Sequence, residues 1–244
     1  MTSIRQVAPT IARALGVRRP DVCTARAIAV PRVERVFVFA VDSVPWRMLP
    51  RLPRTRALLG RPRMASAVFP PVTPVCFASM FTGAPPRGHG IVTYRKPVLS
   101  CETIFDVVAK AGRRVAIVSV AKQSMDLIFR DRRIDYFAER YDPQVVARAT
   151  KLVAGGRHDL VVAYNQAYDD ANHATHPTSV RALRALAGYD ASLARLFAAV
   201  RRHWASWLFV WATDHGCHVE DGVGTHGRRI AADLRVPLFV RAGP

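Results

Sequence analysis

Hydrophobic residues in this chain gather in short unbroken runs, and three of the runs end beside acids. Val36 to Val41 stops at Asp42, and Leu208 to Thr213 stops at Asp214-His215. Leu160 to Tyr164 is followed by Asp169, Asp170 and His173. Continuous apolar runs of this length predict strands buried on both faces of a parallel sheet. Val115 to Val120, Ile134 to Phe137 and Val236 to Val240 read as further strands. Between them the spacing turns helical. Thr103 to Ala111 stops at Gly112, and Pro143 to Val153 stops at Gly155-Gly156. Met125 to Phe129 also reads as helical. Thr178 to Trp204 carries Val180, Leu183, Leu186, Leu193, Phe197 and Val200 as one apolar stripe. Alternating strands and helices predict an α/β fold with a doubly wound, mostly parallel central sheet flanked by helices.

Punctuation divides the remainder. Residues 1–34 are expected to form an arginine-rich lead-in with a short helix near Ile11 to Leu15, and residues 35–244 a single domain. A proline-rich stretch after Asp42 (Pro45, Pro50, Pro53, Pro62, Pro70, Pro71) predicts loop with short helical pieces. Val75 to Phe81 then reads as a helix, with Pro74 at its first position and Thr73 as N-cap.

Composition narrows the class. At 244 residues and 50% hydrophobic, the chain can build one large core, and disorder is excluded. No apolar run is long enough to cross a bilayer, and arginines interrupt the N-terminus where a secretory signal would need apolar residues, so a cytoplasmic protein with no membrane partner is expected. The four scattered cysteines (Cys23, Cys76, Cys101, Cys217) form no metal-binding or redox pair and read as reduced thiols. The formal charge is +18, and only four of the 36 basic residues are lysine. The arginine pairs (Arg18-Arg19, Arg113-Arg114, Arg132-Arg133, Arg201-Arg202, Arg228-Arg229) are spread along the sequence. That distribution reads first as compositional bias and second as non-specific attraction of nucleic acid.

The acids carry the chemistry. In open α/β sheets, ligands bind outside the carboxyl ends of the strands, so Asp42, Asp214 and the 169–173 segment are expected to converge there. Carboxylates brought together repel unless a cation sits between them. Asp169 and His173 are four apart and can share one helical face, with Asp170 and His176 as rivals. Asp214 and His215 are adjacent, and both can reach one centre only if the chain leaves the strand, which Gly216 permits. Gly224-Thr225-His226-Gly227 offers another imidazole, with His218 a weaker rival. Thr73 at a helix start has free N–H groups and the positive dipole end beside its hydroxyl, a setting that suits a phosphoryl group.

These pieces, in this order, resemble the alkaline phosphatase superfamily, in the branch of type I phosphodiesterases, nucleotide pyrophosphatases and phosphonoacetate hydrolases. The matching segments are Val38 to Asp42, Val68 to Thr73 continuing through Thr82 to Ile91, Tyr168 to His173, Ala212 to Gly216, and Thr225 to Gly227 followed by Val236 to Val240. The resemblance implies two divalent metals, zinc by default and manganese or iron as alternatives. One would be held by Asp42, Thr73, Asp214 and His215, the other by Asp169, His173 and His226. Thr73 would attack phosphorus in line, and water activated at the second metal would hydrolyse the phosphothreonine. His89, in the family's Gly-His-Gly turn, would be structural. Lys122 resembles a substrate-contacting lysine of phosphonoacetate hydrolases. Tyr94 stands where relatives carry an asparagine, so it is the expected substrate contact. The chain is short for the superfamily and leaves little sequence for a cap.

The function expected is metal-dependent hydrolysis of phosphoric esters on a small phosphate- or phosphonate-bearing substrate. The alternatives are a phosphonate hydrolase and a catalytically degenerate member that binds metal or polyanions.

Overall fold

Side chains of the central strands alternate between two cores. In the second strand, Val36, Val38 and Ala40 enter one apolar cluster, and Phe37, Phe39 and Val41 enter the other. A strand whose period-2 faces are both apolar must be covered on both sides. The computed structural model describes residues 2–244 and shows how. The elements run β1 (Thr2–Ser3), α1 (Val7–Leu15), β2 (Arg35–Val41), α2 (Pro53–Leu59), β3 (Arg63–Ser66), α3 (Thr73–Thr82) and α4 (Pro86–His89). They continue with α5 (Ile104–Lys110), β4 (Val115–Val120), α6 (Ser124–Leu127), β5 (Asp135–Glu139), α7 (Asp142–Gly155), β6 (Leu160–Asn165) and α8 (Ala167–Ala174). The last are α9 (Val180–His203), β7 (Trp207–Thr213), β8 (His218–Glu220), β9 (Val223–Thr225), α10 (Ala231–Leu234) and β10 (Arg235–Gly243).

The main sheet has eight strands in the order β1-β3-β10-β7-β2-β6-β4-β5. Five neighbours, β7 through β5, are parallel, and β10 is antiparallel to both β7 and β3. This is the expected α/β architecture, with an antiparallel flank. Helices α1, α3, α5 and α6 cover one face, and α2, α7, α8 and α9 cover the other. On the second face Phe37 stacks on Phe209 at 5.1 Å and Phe197 meets Phe209 edge-on at 5.3 Å. Truncating one such buried ring to alanine costs about 3–5 kcal/mol.

The predicted strand 115–120 matches its observed limits, the run Leu208 to Thr213 gains only Trp207, and most helices differ by one to three residues. Three details differ from expectation. Thr73 is the first helical residue of α3 and Val72 is its cap, because Pro74 is tolerated one position further in. Val180 is 67% exposed, since Ser179 caps α9 there and the stripe begins at Ala182. The strands β1, β3, β8 and β9, each of two to four residues, carried no legible pattern. In the lead-in, α1 is buried along nearly its whole length and packs on α3 and α5, so residues 2–34 share the core of the rest. Among the described residues, no helix is long and apolar enough to cross a membrane.

Candidate active site

Register brings the acids together. Val41 is paired with Asn165 on one side and Thr213 on the other, so β2, β6 and β7 end level. Asp42 and Asp214 follow directly, both buried. β6 leads through Gln166 into α8, which carries Asp169 and His173 back over the strand ends. The start of α8 is fixed by Asp142, whose carboxylate accepts the Gln166 and Ala167 N–H groups at 3.0 Å each. Burial pushes Asp142 up to about 6, against the pull of those two bonds.

Two glycines make the other approaches possible. A side chain at Gly216 would meet the Ala232 carbonyl oxygen at 2.0 Å, so only glycine lets the chain turn out of β7 after His215. A side chain at Gly224 would meet the Asn172 carbonyl oxygen at 2.7 Å. That contact seats the β8–β9 hairpin on α8 and delivers His226 to within 5.1 Å of the His173 ring.

The result is two triads of potential metal-ligating side chains. Asp42, Asp214 and His215 offer ligand atoms within 4.8 Å of one another, as do Asp169, His173 and His226. The His215 and His226 rings stack at 3.9 Å and join the triads. Thr73 adjoins the first triad, with its buried hydroxyl donating to His215 Nε2 at 3.2 Å. Both bridging imidazoles are oriented by main-chain carbonyls, which can only accept. His215 Nδ1 donates to Gly216 O at 2.9 Å and His226 Nδ1 to Pro71 O at 3.1 Å. Each ring therefore presents an unprotonated Nε2 inward, as a metal ligand must.

The carboxylates are incompletely satisfied. Asp42 Oδ1, Asp169 Oδ1 and Asp214 Oδ2 are buried with no hydrogen-bond partner. Their other oxygens are held. Tyr164 donates to Asp42, the Ser43 and His215 N–H groups bond Asp214 Oδ1, and His173 lies 3.3 Å from Asp169 Oδ2. Ser43 reaches Asp214 from a left-handed backbone, φ 64°. Orphaned anionic oxygens aimed at one centre fit a cation, and the N/O donor set fits zinc or a similar divalent ion.

Electrostatics agrees. Burial, followed by Asp214 and Asp169, holds Asp42 well above the carboxylate range. Burial pushes Asp214 up to about 8. Burial also lowers His215, and burial with His215 beside it lowers His226 to about 4. Asp169 differs. Burial acts to raise it, but the His173 bond and the neighbouring imidazoles outweigh that and hold it low.

The rivals find other partners. Asp170 accepts from Gln166 at 3.1 Å, His176 pairs with Thr178 on the surface, and His218 is bound to Asp233 at 2.8 Å. His89 is buried against Ser79 at 2.8 Å and, through burial, is lowered to about 4. Tyr94 is 58% exposed at the rim. Partial burial, then Asp42, Asp169 and Asp214, raises its phenol, which places the ring in the field of the site. Lys96 lies 5.7 Å above that ring. Lys122 is exposed in the turn after β4, its N–H bound to Asp126. Sequence reasoning missed Tyr164, Ser43 and Asp142, none of which stands in a recognisable motif.

Known proteins share this arrangement of strands. A phosphonoacetate hydrolase from Sinorhizobium meliloti 1021, in complex with phosphonoacetate, superposes with a TM-score of 0.60 at 20% identity, covering 84% of this chain and 62% of that one. Murine ectonucleotide pyrophosphatase/phosphodiesterase 5, as an inactive variant in complex with AMP, gives 0.62 at 17% identity, over 75% of this chain and 57% of that one. The human protein of the same name gives 0.63 at 16%, with the same coverage. The chain thus spans about three fifths of the length of these proteins, and at such identities the likeness is one of fold. No curated protein matches the sequence. The family model of type I phosphodiesterase/nucleotide pyrophosphatase matches residues 36–225, from the first residues of β2 to the last of β9. The chain belongs to that family, within the alkaline phosphatase superfamily.

Proposed function

We propose that this chain hydrolyses small phosphoric esters, with Thr73 as nucleophile between two divalent metals. The observation that carries the reading is the pair of triads, joined through the stacked His215 and His226 rings, each with unpartnered carboxylate oxygens and with one buried hydroxyl on His215. Asp42, Thr73, Asp214 and His215 would hold one ion, and Asp169, His173 and His226 the other. When bound, the ions would supply charge neutralisation for the phosphoryl oxygens and lower the pKa values of the hydroxyl and of water.

The residues supply the rest. Thr73 Oγ forms a bond to phosphorus as the ester oxygen departs with a proton, and water then cleaves the phosphothreonine. The start of α3 aims first-turn N–H groups at the phosphoryl group. The Tyr94 hydroxyl donates to a non-bridging oxygen, the task of an asparagine in relatives. Lys122, with Lys96 near it on the rim, meets a second anionic group of the substrate. Such a group favours the second reading, phosphonate cleavage, and one structural neighbour holds phosphonoacetate. Residues 35–244 carry the catalytic groups, on a core that α1 helps to build, and the four free cysteines suit a reducing, cytoplasmic setting.

The test compares wild type and Thr73→Ala, both loaded with zinc or manganese, on bis-p-nitrophenyl phosphate, p-nitrophenyl phosphate and phosphonoacetate. Turnover by wild type alone is expected, and the preferred substrate selects diester, monoester or phosphonate. Equal rates would remove Thr73 from the reaction. Two bound metals with no turnover on any of the three would make the chain a binding protein.

A further inference from the structure

The parallel strands have a second edge. β7, β2, β6, β4 and β5 begin side by side, and the segments that enter them carry arginine. Three of the five arginine pairs, dispersed in sequence, are gathered here by topology: Arg113-Arg114 before β4, Arg132-Arg133 before β5, and Arg201-Arg202 before β7. Arg157 stands before β6. The entering segments touch. Asp159 N–H bonds Arg114 O at 2.8 Å, Val36 N–H bonds Asp159 O at 2.7 Å, and Arg35 N–H bonds Ser206 O at 3.3 Å. A cavity of about 760 Å³ lies between β4 and β5, where Lys110, Arg113, Arg114, Arg132 and Arg133 outnumber Asp106, Asp131 and Asp135 in its lining. A second, of about 510 Å³, lies beside β7 and is lined by Arg201, Arg202 and His203.

The acids of this edge are largely engaged. Asp135 is bound to His158 at 2.7 Å, and Asp159 accepts the Arg114 N–H at 2.8 Å and pairs with Arg113 at 3.5 Å. Arg114, Arg133, Arg157, Arg201 and Arg202 have no carboxylate partner among the described residues, against Glu34 and Asp131 left exposed. Arg35 and Arg201 lie over the Trp204 and Phe197 rings at 5.8 and 6.0 Å, which limits their freedom.

We propose that this edge of the sheet docks the phosphodiester backbone of a nucleic acid, through the guanidinium groups of Arg114, Arg133, Arg157, Arg201 and Arg202. Three observations select this partner. The groups are forks that match phosphate bidentately rather than lysine point charges. Five strands at about 4.8 Å spacing span about 19 Å, the axial length of roughly five base pairs of duplex. Of the exposed large hydrophobic residues, Val98 alone adjoins the described part of this edge, beside Lys110 and Arg132, and a single valine offers little to a bilayer interior. The docking edge and the proposed active site lie at opposite ends of the strands, about 20 Å apart for six residues of β4. Nucleic acid bound here leaves the active-site crevice open, so binding and ester turnover are separable.

The test is fluorescence anisotropy with a labelled 20-base-pair DNA duplex at 50 to 200 mM salt, the probe being checked intact afterwards. The variant Arg114→Glu/Arg133→Glu/Arg201→Glu/Arg202→Glu is compared with Arg51→Glu/Arg54→Glu/Arg56→Glu/Arg61→Glu, four exposed arginines around α2. We expect wild type to bind, the edge variant to lose at least tenfold in affinity and about 3 in the salt slope, and the α2 variant to stay within threefold. The edge variant should still turn over bis-p-nitrophenyl phosphate at the wild-type rate, so the result stands apart from the catalytic reading. Equal losses in both variants would mean diffuse charge and overturn the site. So would no binding by wild type at 50 mM salt, or tighter binding to vesicles containing phosphatidylserine than to the duplex. If the edge variant fails to fold, Arg133→Glu/Arg202→Glu is measured on the same criteria, with a threefold loss expected.

Discussion

The two triads share one crevice and one pair of stacked imidazoles, yet they meet their charge in different ways. Asp42, Asp214 and His215 are buried, and among the described residues no Lys or Arg pairs with them. Burial raises both carboxyls, Asp214 to about 8. Asp169 instead has His173 on one oxygen, and His173 is 46% exposed at its side chain. The carboxylate is held low and the imidazole is raised, first by that bond. The open triad carries its own counter-charge; the buried one must import it. A shared set of ligand types therefore does not imply equal dependence on a bound ion.

The largest expected effect removes the hydroxyl held on His215, the proposed nucleophile. Thr73→Ala should cost about a thousandfold or more in kcat, while retaining two metals per chain by elemental analysis. A tenfold loss, or loss of metal alongside activity, would show that Thr73 acts as a ligand only.

Next comes the buried triad. Asp214→Asn keeps an oxygen for the Ser43 and His215 N–H groups but removes the negative charge. It should lose one metal per chain and about a hundredfold in activity. The metal-free variant should be more stable than metal-free wild type, because a buried carboxyl is no longer asked to ionise. A destabilised metal-free variant would place the carboxylate in a structural role. His173→Ala should do less. It should weaken the second metal by about tenfold to a hundredfold while the first stays bound, read by competition with a chelator. Loss of both metals would mean that the triads form one unit.

The comparison also has a pH signature. The folded pKa values of Asp42 and Asp214 are raised, that of Asp214 to about 8, so metal-free protein loses stability as pH rises above the unfolded value near 4. His215 and His226 are lowered, His226 to about 4, so they contribute stability that is complete above about 6.5 and is lost as pH falls below it. Below 6.5 the two effects oppose; above it the lowered imidazoles are silent, and the carboxyls and the raised His173 all lose stability as pH rises. From pH 6.5 to 8 the metal-free protein should lose about 2 kcal/mol relative to the metal-loaded form, and the gap in Tm should widen. A constant gap would show that the carboxylates are already ionised without metal.

Much of this was legible in the chain. Strands of the parallel sheet could be read because both faces are apolar, so a run such as Val36 to Val41 has no polar break. The site ligands could be read because each follows a strand or shares a helical turn. Short flanking strands such as Arg63–Ser66 were invisible, since their hydrogen bonds are set by β1 and β10 and not by their own side chains. The groups that hold the ligands were equally silent. Asp142 and Tyr164 act across 24 and 122 residues of sequence, and such separations leave no local pattern. The gathering of Arg113-Arg114, Arg132-Arg133 and Arg201-Arg202 at one edge is likewise a product of strand order, which no spacing records.

The finest test of the comparison lies in Tyr164. Its ring sits in the β6 core edge-on to Phe77 at 5.0 Å, and its hydroxyl donates to Asp42 Oδ2. That bond satisfies one oxygen and leaves Oδ1 alone and facing the crevice. Tyr164→Phe preserves the packing and frees the second oxygen. Asp42 would then lose a donor that favours its ionised form, and its orientation would loosen. We expect about a tenfold weaker affinity for the first metal, an unchanged affinity for the second, and little change in the stability of the metal-free protein. Chelator competition separates the two sites. Equal weakening of both would show that Tyr164 organises the whole crevice rather than the buried triad, and would remove the distinction drawn between the two.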